Sequence, residues 1–209
     1  TYEQIAQAED ASLAGGFDLD AIARIKGDLF VGVDIGRCRD LTVMWVVERT
    51  GDGLLTRGIR ESVGEAFRDQ FAAMRSLLSL RTVKRCCIDA GGMGMPWAEE
   101  AGGQFGASRW EAVTFTSRVK DELATRLRLA VEAGSLRIPV DATIRNDWHS
   151  VRRSVTSYGP PRYSAGHSRE GHADRFWAAA LAVRAAGESA GAIEQVRGPG
   201  LRFGRAGIW

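Results

Sequence analysis

The sequence predicts an α/β fold built on a mixed β-sheet. Three antiparallel strands come first, parallel βα units follow, helices flank the sheet, and a β-hairpin is added before the last helix. Three observations predict it. Apolar runs at 29–34, 41–49 and 54–61 follow one another with only turn residues between them, and Gly51-Asp52-Gly53 is a strong hairpin signal. Beyond residue 62, helical spacing alternates with short apolar runs, which is the pattern of βα units. The chain has 209 residues, 44% of them apolar, which suits one domain able to bury its own core.

Taken in order, residues 3–14 read as a short helix that GGFDLD interrupts, and residues 1–27 as an interdomain linker or arm. LFVGVD is the first strand. In GEAFRDQFAAMRSLLSL, Phe67, Phe71, Met74 and Leu78 stand at helical spacing, a helix packed on the sheet. VKRCCID is the fourth strand, AGGMGM a loop, and Pro96 starts a helix through 97–105. RWEAVTF is a further strand. Thr116 or Ser117 then caps a long helix that ends on Gly134. A short strand at 136–139, a helix near 141–149, and a hairpin over VRRSVTSYGPPRYSA follow, then the helix GHADRFWAAALAVRAAGE. Trp45, Trp97 and Trp177 are expected in the core. The domain is expected over 28–190, with 191–209 a flexible basic tail.

The bulk composition excludes several classes. No window of eighteen uncharged apolar residues exists, so no membrane span is expected, and the polar start TYEQIAQAED does not resemble a signal peptide. Cys38, Cys86 and Cys87 make neither a disulfide framework nor a CxxC zinc site, and reduced thiols in the cytoplasm are the simple reading. A net charge of +2 makes no global polycation. Local basic residues remain: Arg145, Arg152, Arg153, Arg162, Arg169 and Arg175, then Arg197, Arg202 and Arg205 in the tail. They read either as a face that follows a phosphate backbone or as an ordinary solvated surface.

Three carboxylates stand out by position. Asp34 closes the first strand, Asp89 closes the fourth, and Asp174 opens the last helix. If those two strands are adjacent and parallel, Asp34 and Asp89 sit side by side, and a helix packed on that sheet end adds Asp174. Three gathered anions repel, and a hard divalent cation such as Mg²⁺ or Mn²⁺ resolves the conflict. Singly, each has a plainer reading: an Asx turn for Asp34 and Asp89, a favourable helix dipole for Asp174. Glu48, on the second strand, is a weaker fourth acid. Arg118 and Lys120 open the long helix, either solvated or on phosphate. His167 and His172 flank the last acid, with His172 beside a substrate phosphate or exposed on a loop.

VGVDIGRCRDLTVMWVVER, CCIDAGGMGMPWAEE, FTSRVKDELATRLRLAVEAGSLRIP and GHADRFWAAALA resemble, in that order, the C-terminal nuclease domain of phage large terminase subunits, with the nearest look to the Mu-like phage and prophage type. The resemblance spans roughly residues 28–187. It implies an RNase H-like fold and a divalent-metal endonuclease that cuts double-stranded DNA during packaging in the host cytoplasm. It implies Asp34, Asp89 and Asp174 as catalytic acids holding two ions, Mg²⁺ or Mn²⁺, with Asp34 shared between them. DNA contacts are expected from Arg118, Lys120, Arg152, Arg153, Arg162 and His172 by their positions, and the resemblance implies as partners a terminase ATPase domain, a small terminase subunit and a portal. The chain departs from the pattern twice. Asp89 stands where many relatives carry Glu. Lys26, Lys84 and Lys120 follow Ile, Val and Val, so there is no GxxxxGK[ST] phosphate loop and no packaging ATPase here. Two other enzyme readings stay open, a RuvC-like resolvase or transposase core and an actin- or sugar-kinase-like ATP-binding domain, as does a non-catalytic binding module.

Overall fold

The computed structural model describes residues 1–36, 41–91, 94–106, 108–154, 161–164 and 173–188, with the backbone alone at 94–99 and 188. In chain order the elements are α1 (Tyr2–Ala8), β1 (Glu9–Asp10), α2 (Leu19–Ala23), β2 (Leu29–Asp34), β3 (Thr42–Thr50), β4 (Gly53–Ser62), α3 (Phe67–Leu78) and β5 (Val83–Asp89). They continue with α4 (Gly94–Phe105), β6 (Trp110–Val113), α5 (Ser117–Glu132), β7 (Leu136–Pro139), α6 (Ala142–Ser150), β8 (Arg152–Ser154), β9 (Arg162–Ser164) and α7 (Asp174–Glu188). Seven strands form one mixed sheet in the order β1-β7-β4-β3-β2-β5-β6, and β8 and β9 pair as a separate hairpin. β2, β3 and β4 are antiparallel neighbours, whereas β5 lies parallel to β2 and β6 parallel to β5. The mixed sheet with an added hairpin is as expected from sequence. The expected turn at Gly159-Pro160 and the tail 191–209 lie outside the described residues.

β2 is buried along its whole length, so its side chains serve two cores. Phe30, with Val43, Trp45 and Val47 of β3, packs under α5, α6 and α7. Leu29, Val31 and Val33, with Met44 and Val46, pack under α3 and α4. The alternation follows from the two-residue period of a strand. α5 begins and ends on local signals. Thr116 Oγ1 accepts the Val119 N–H at 3.2 Å. Gly134, at φ 66°, closes a Schellman motif in which Gly134 N–H donates to Val131 O and Ser135 N–H to Ala130 O.

Residues 1–27 lie along the domain rather than away from it. β1 adds to the edge of β7 in parallel, and Arg145 grips Glu9 with two bonds of 2.9 and 2.6 Å. Ile5 and Ala8 enter one core and Ile22 the other. The first helix is shorter than the periodicity predicts because Glu9 turns into the sheet edge. GGFDLD is not only a break: Asp18 accepts the N–H groups of Asp20 and Ala21 and starts α2.

α7 rests directly on the middle of the sheet. A Cβ at Gly32 would stand 2.0 Å from Ala178 O and 2.2 Å from Ala182 N, so helix backbone meets strand backbone there. The facing residues Ala178, Ala179, Ala182 and Ala185 are all small and buried. Gly32→Ala is expected to lower the unfolding free energy by about 1–3 kcal/mol through overpacking. A denaturant midpoint equal to wild type would show that α7 can lift off the strand without cost.

Candidate active site

β2 and β5 run parallel with Val33 opposite Ile88, so the next residues, Asp34 and Asp89, end neighbouring strands on the same side of the sheet. The turn after Asp34 is held by Gly36 N–H donating to Thr42 Oγ1 at 3.0 Å. After Asp89 the Gly91 N–H donates to its Oδ1 at 2.9 Å, so the plainer reading of Asp89 as a turn residue is real as well. The close packing of α7 on Gly32 brings its first residue, Asp174, to this end. Asp34 and Asp174 are both buried.

The three carboxylates feel one another. Burial pushes the Asp34 carboxyl well above the usual carboxylate range, and the charges of Asp174 and Asp89 push it the same way, while Lys120 opposes them. Asp89 is raised too, chiefly by burial, against the Gly91 N–H and Lys120. Among the described residues no group of three or more His, Cys, Asp and Glu side chains is drawn together closely enough to hold a metal ion as it stands. The acids are within electrostatic reach of one another without being a tight cage. The donor set still fits a hard divalent ion. It is all carboxylate, it is desolvated, and two of its members hold their protons more firmly than free acids do.

A fourth acid joins them that the sequence reading did not single out. Asp147, on α6, is buried, and burial pushes it up to about 6 against the pull of Arg175. Its signal was helical spacing, because Ile144, Asp147 and Trp148 share the buried face of α6. Glu48 is not part of the site. It pairs with Leu29 at the far end of β3 and binds Arg57 at 2.6 Å.

The basic residues divide. Lys120 Nζ sits 5.3 Å from the Phe115 ring centroid and 5.0 Å from that of Trp177, half-buried, and its charge pulls the carboxyls of Asp34 and Asp89 down. Arg153 donates to Asp121 at 3.1 Å, and Tyr163 donates to the same oxygen at 2.7 Å, which ties the hairpin to α5. Arg152 donates to the His149 carbonyl, and Arg118 and Arg162 are exposed. Arg145 and Arg175 do not belong to an open phosphate-following face. Arg145 holds Glu9, and Arg175 is buried with two bonds of 2.6 and 2.7 Å to Glu61. His167, His172 and Arg169 lie outside the described residues. A groove of about 440 Å³ opens among Thr1, Ile5, Leu127, Trp148, Arg153 and Phe176, and none of the four acids lines it.

A family model described as the terminase RNase H-like domain matches residues 31–186. The chain belongs to this family. Among solved structures, it is 26% identical to the magnesium-bound large terminase nuclease of thermophilic phage G20c, over 77% of this chain and 82% of that one, with a TM-score of 0.64. The large terminase nuclease domain of Thermus phage P74-26 is 21% identical over 87% of this chain and 92% of that one, at a TM-score of 0.64. The manganese-bound nuclease domain from bacteriophage SPP1 shares the fold at 12% identity, covering 85% and 96%, with a TM-score of 0.54. None of the curated proteins compared matches the chain. Membership of this family takes precedence over the resolvase, kinase-like and binding-module alternatives.

The raised Asp34 carboxyl has a consequence for stability. Because Asp34 binds its proton more tightly folded than unfolded, stability is lost as pH rises from the unfolded value, about 3.9, through the raised folded one. Asp34→Asn cannot ionise. In chelator it is expected to melt above wild type at neutral pH, with a gap that widens as pH rises across that window. Equal melting temperatures from pH 4 to 8 would contradict the burial and crowding of this carboxyl.

Proposed function

We propose that this chain is the divalent-metal-dependent endonuclease domain of a phage DNA-packaging terminase, cleaving phosphodiester bonds of double-stranded DNA with little sequence specificity. The observation that carries the reading is the register of β2 against β5, which ends two parallel strands on Asp34 and Asp89 beneath the helix that Asp174 opens. Asp34 would be shared between two ions, with Asp89 and Asp174 each holding one; Mg²⁺ and Mn²⁺ suit this oxygen donor set. A bound pair of such ions supplies an activated water at neutral pH and steadies both the attacking and the leaving oxygen.

The residues of the chain do the rest. Asp34 and Asp89, desolvated at strand ends, present oxygens on a rigid frame. Lys120, braced on Phe115 and Trp177, offsets their charge and offers an ammonium toward an incoming phosphate. Arg118, Arg152, Arg153 and Arg162 lie on α5 and the hairpin, where bonds to phosphates would position DNA without reading bases. His172 is assigned a phosphate-binding role on its sequence position alone. Residues 28–190 form the nuclease unit in this reading and 1–27 the connection to an ATPase domain. Its setting is the host cytoplasm, with a small terminase subunit and a portal as further partners. Among the described residues no helix is long and apolar enough to cross a membrane.

Plasmid cleavage is expected with Mg²⁺ or Mn²⁺ and not with chelator. Asp34→Ala or Asp174→Ala should each lower it at least about 100-fold, and cleavage that persists in chelator would defeat the reading. Arg152→Ala combined with Arg153→Ala should weaken duplex binding and flatten the log affinity–log salt slope by about 0.9 for each phosphate that the arginines neutralise. Binding that is unchanged across salt would move the DNA path elsewhere.

A further inference from the structure

Among the described residues, the side-chain acceptor at the start of α7 comes from outside the helix. Ala173 occupies the N-cap position, since its carbonyl accepts the Trp177 N–H at 3.1 Å, and an alanine offers no side-chain acceptor. It is fully buried and holds φ at 67°, the left-handed region that a residue with a Cβ rarely adopts. The missing acceptor comes from another helix. Asp147 Oδ2, on α6, accepts the Phe176 N–H at 3.2 Å, and the Arg175 N–H also turns toward this carboxylate. These are the second and third N–H groups of α7, the pair that an N-cap side chain ordinarily serves.

α6 is a firm platform for this. Asp141 caps it by accepting from Thr143 at 2.6 Å, and Trp148, beside Asp147, packs edge-on against Phe176 and tilted against Trp45. On the other side, Glu61 holds the Arg175 guanidinium. Asp174 therefore sits between a backbone kink at Ala173 and two N–H groups fixed from outside its own helix.

We propose that Asp147 is a positioning residue for the nuclease reaction: by capping α7 from the neighbouring helix, it sets the direction in which Asp174 presents its carboxylate beside Asp34. This rests on the reading of Asp174 as a metal ligand. Asp147 acts through hydrogen bonds to α7 and not as a ligand, so an uncharged acceptor of the same reach does the same work.

The test compares wild type, Asp147→Leu and Asp147→Asn in the full chain. It reads amide hydrogen exchange at residues 175 and 176, Mn²⁺ affinity by calorimetry, and the metal concentration that half-saturates plasmid cleavage. Asp147→Leu should speed exchange in the first turn of α7 and weaken Mn²⁺ binding about tenfold or more, the scale on which removed supporting groups weaken metal sites. Asp147→Asn should keep slow exchange and an affinity within about threefold of wild type. The inference is overturned if Asp147→Leu leaves exchange and Mn²⁺ affinity unchanged. It is overturned equally if Asp147→Asn loses as much affinity as Asp147→Leu, since the charge rather than the cap would then matter. Should Asp147→Leu not fold, Asp147→Asn decides alone: retained affinity with slow exchange supports the cap, and lost affinity overturns it. A wild-type chain that binds no Mn²⁺ removes the metal reading and this inference together, whereas normal wild-type binding with an indifferent Asp147→Leu removes only the inference.

Discussion

The site depends on the close approach of two backbones. At Gly32 the strand and α7 come so near that a single Cβ would meet Ala178 O and Ala182 N at about half a normal contact distance. A strand glycine gives up side-chain packing, and a helix lined with Ala178, Ala179, Ala182 and Ala185 gives up bulk. What the pair gains is proximity. Two residues along β2 from Gly32 is Asp34, and about one turn before Ala178 on α7 is Asp174. The nearness of the two acids is thus a by-product of how the central helix seats on the central strand. Both elements are held by core packing rather than by loops.

Around this axis several charges are arranged in pairs. Arg184 and Arg85 both bind Glu111, at 2.7 and 2.8 Å, and hold its carboxyl down to about 2 despite burial. Cys87 donates to the same carboxylate, and burial pushes its thiol up. Such networks cost desolvation that their pairing offsets. Asp34 and Asp89 are raised instead, because burial outweighs the opposing pull of Lys120 on each. Buried carboxyls raised in this way suit a guest that brings positive charge.

The features legible in the sequence are those that local chemistry writes. Apolar runs ending on Asp34 and Asp89, the Gly51-Asp52 turn, the Thr116 cap and the Gly134 stop all announce themselves within a few residues. The features that were not legible are decided by partners distant in sequence. Arg145 and Arg175 look like any other basic residues until Glu9, 136 residues away, and Glu61, 114 residues away, are brought to them. The docking of residues 1–27 depends on a free edge of β7 that only the folded sheet provides. Asp147 sits in a helix that reads as short and half-polar, and its role exists only because Ala173 cannot fill it.

The sheet also ends in a particular way. One border is β1, two residues long, and the other is β6, four residues long. Long flat borders invite strands from other molecules, and short ones give little to align against. Both flanks of the sheet thus offer a foreign strand little to pair with, and at one of them the short border is Glu9–Asp10 from the start of the chain.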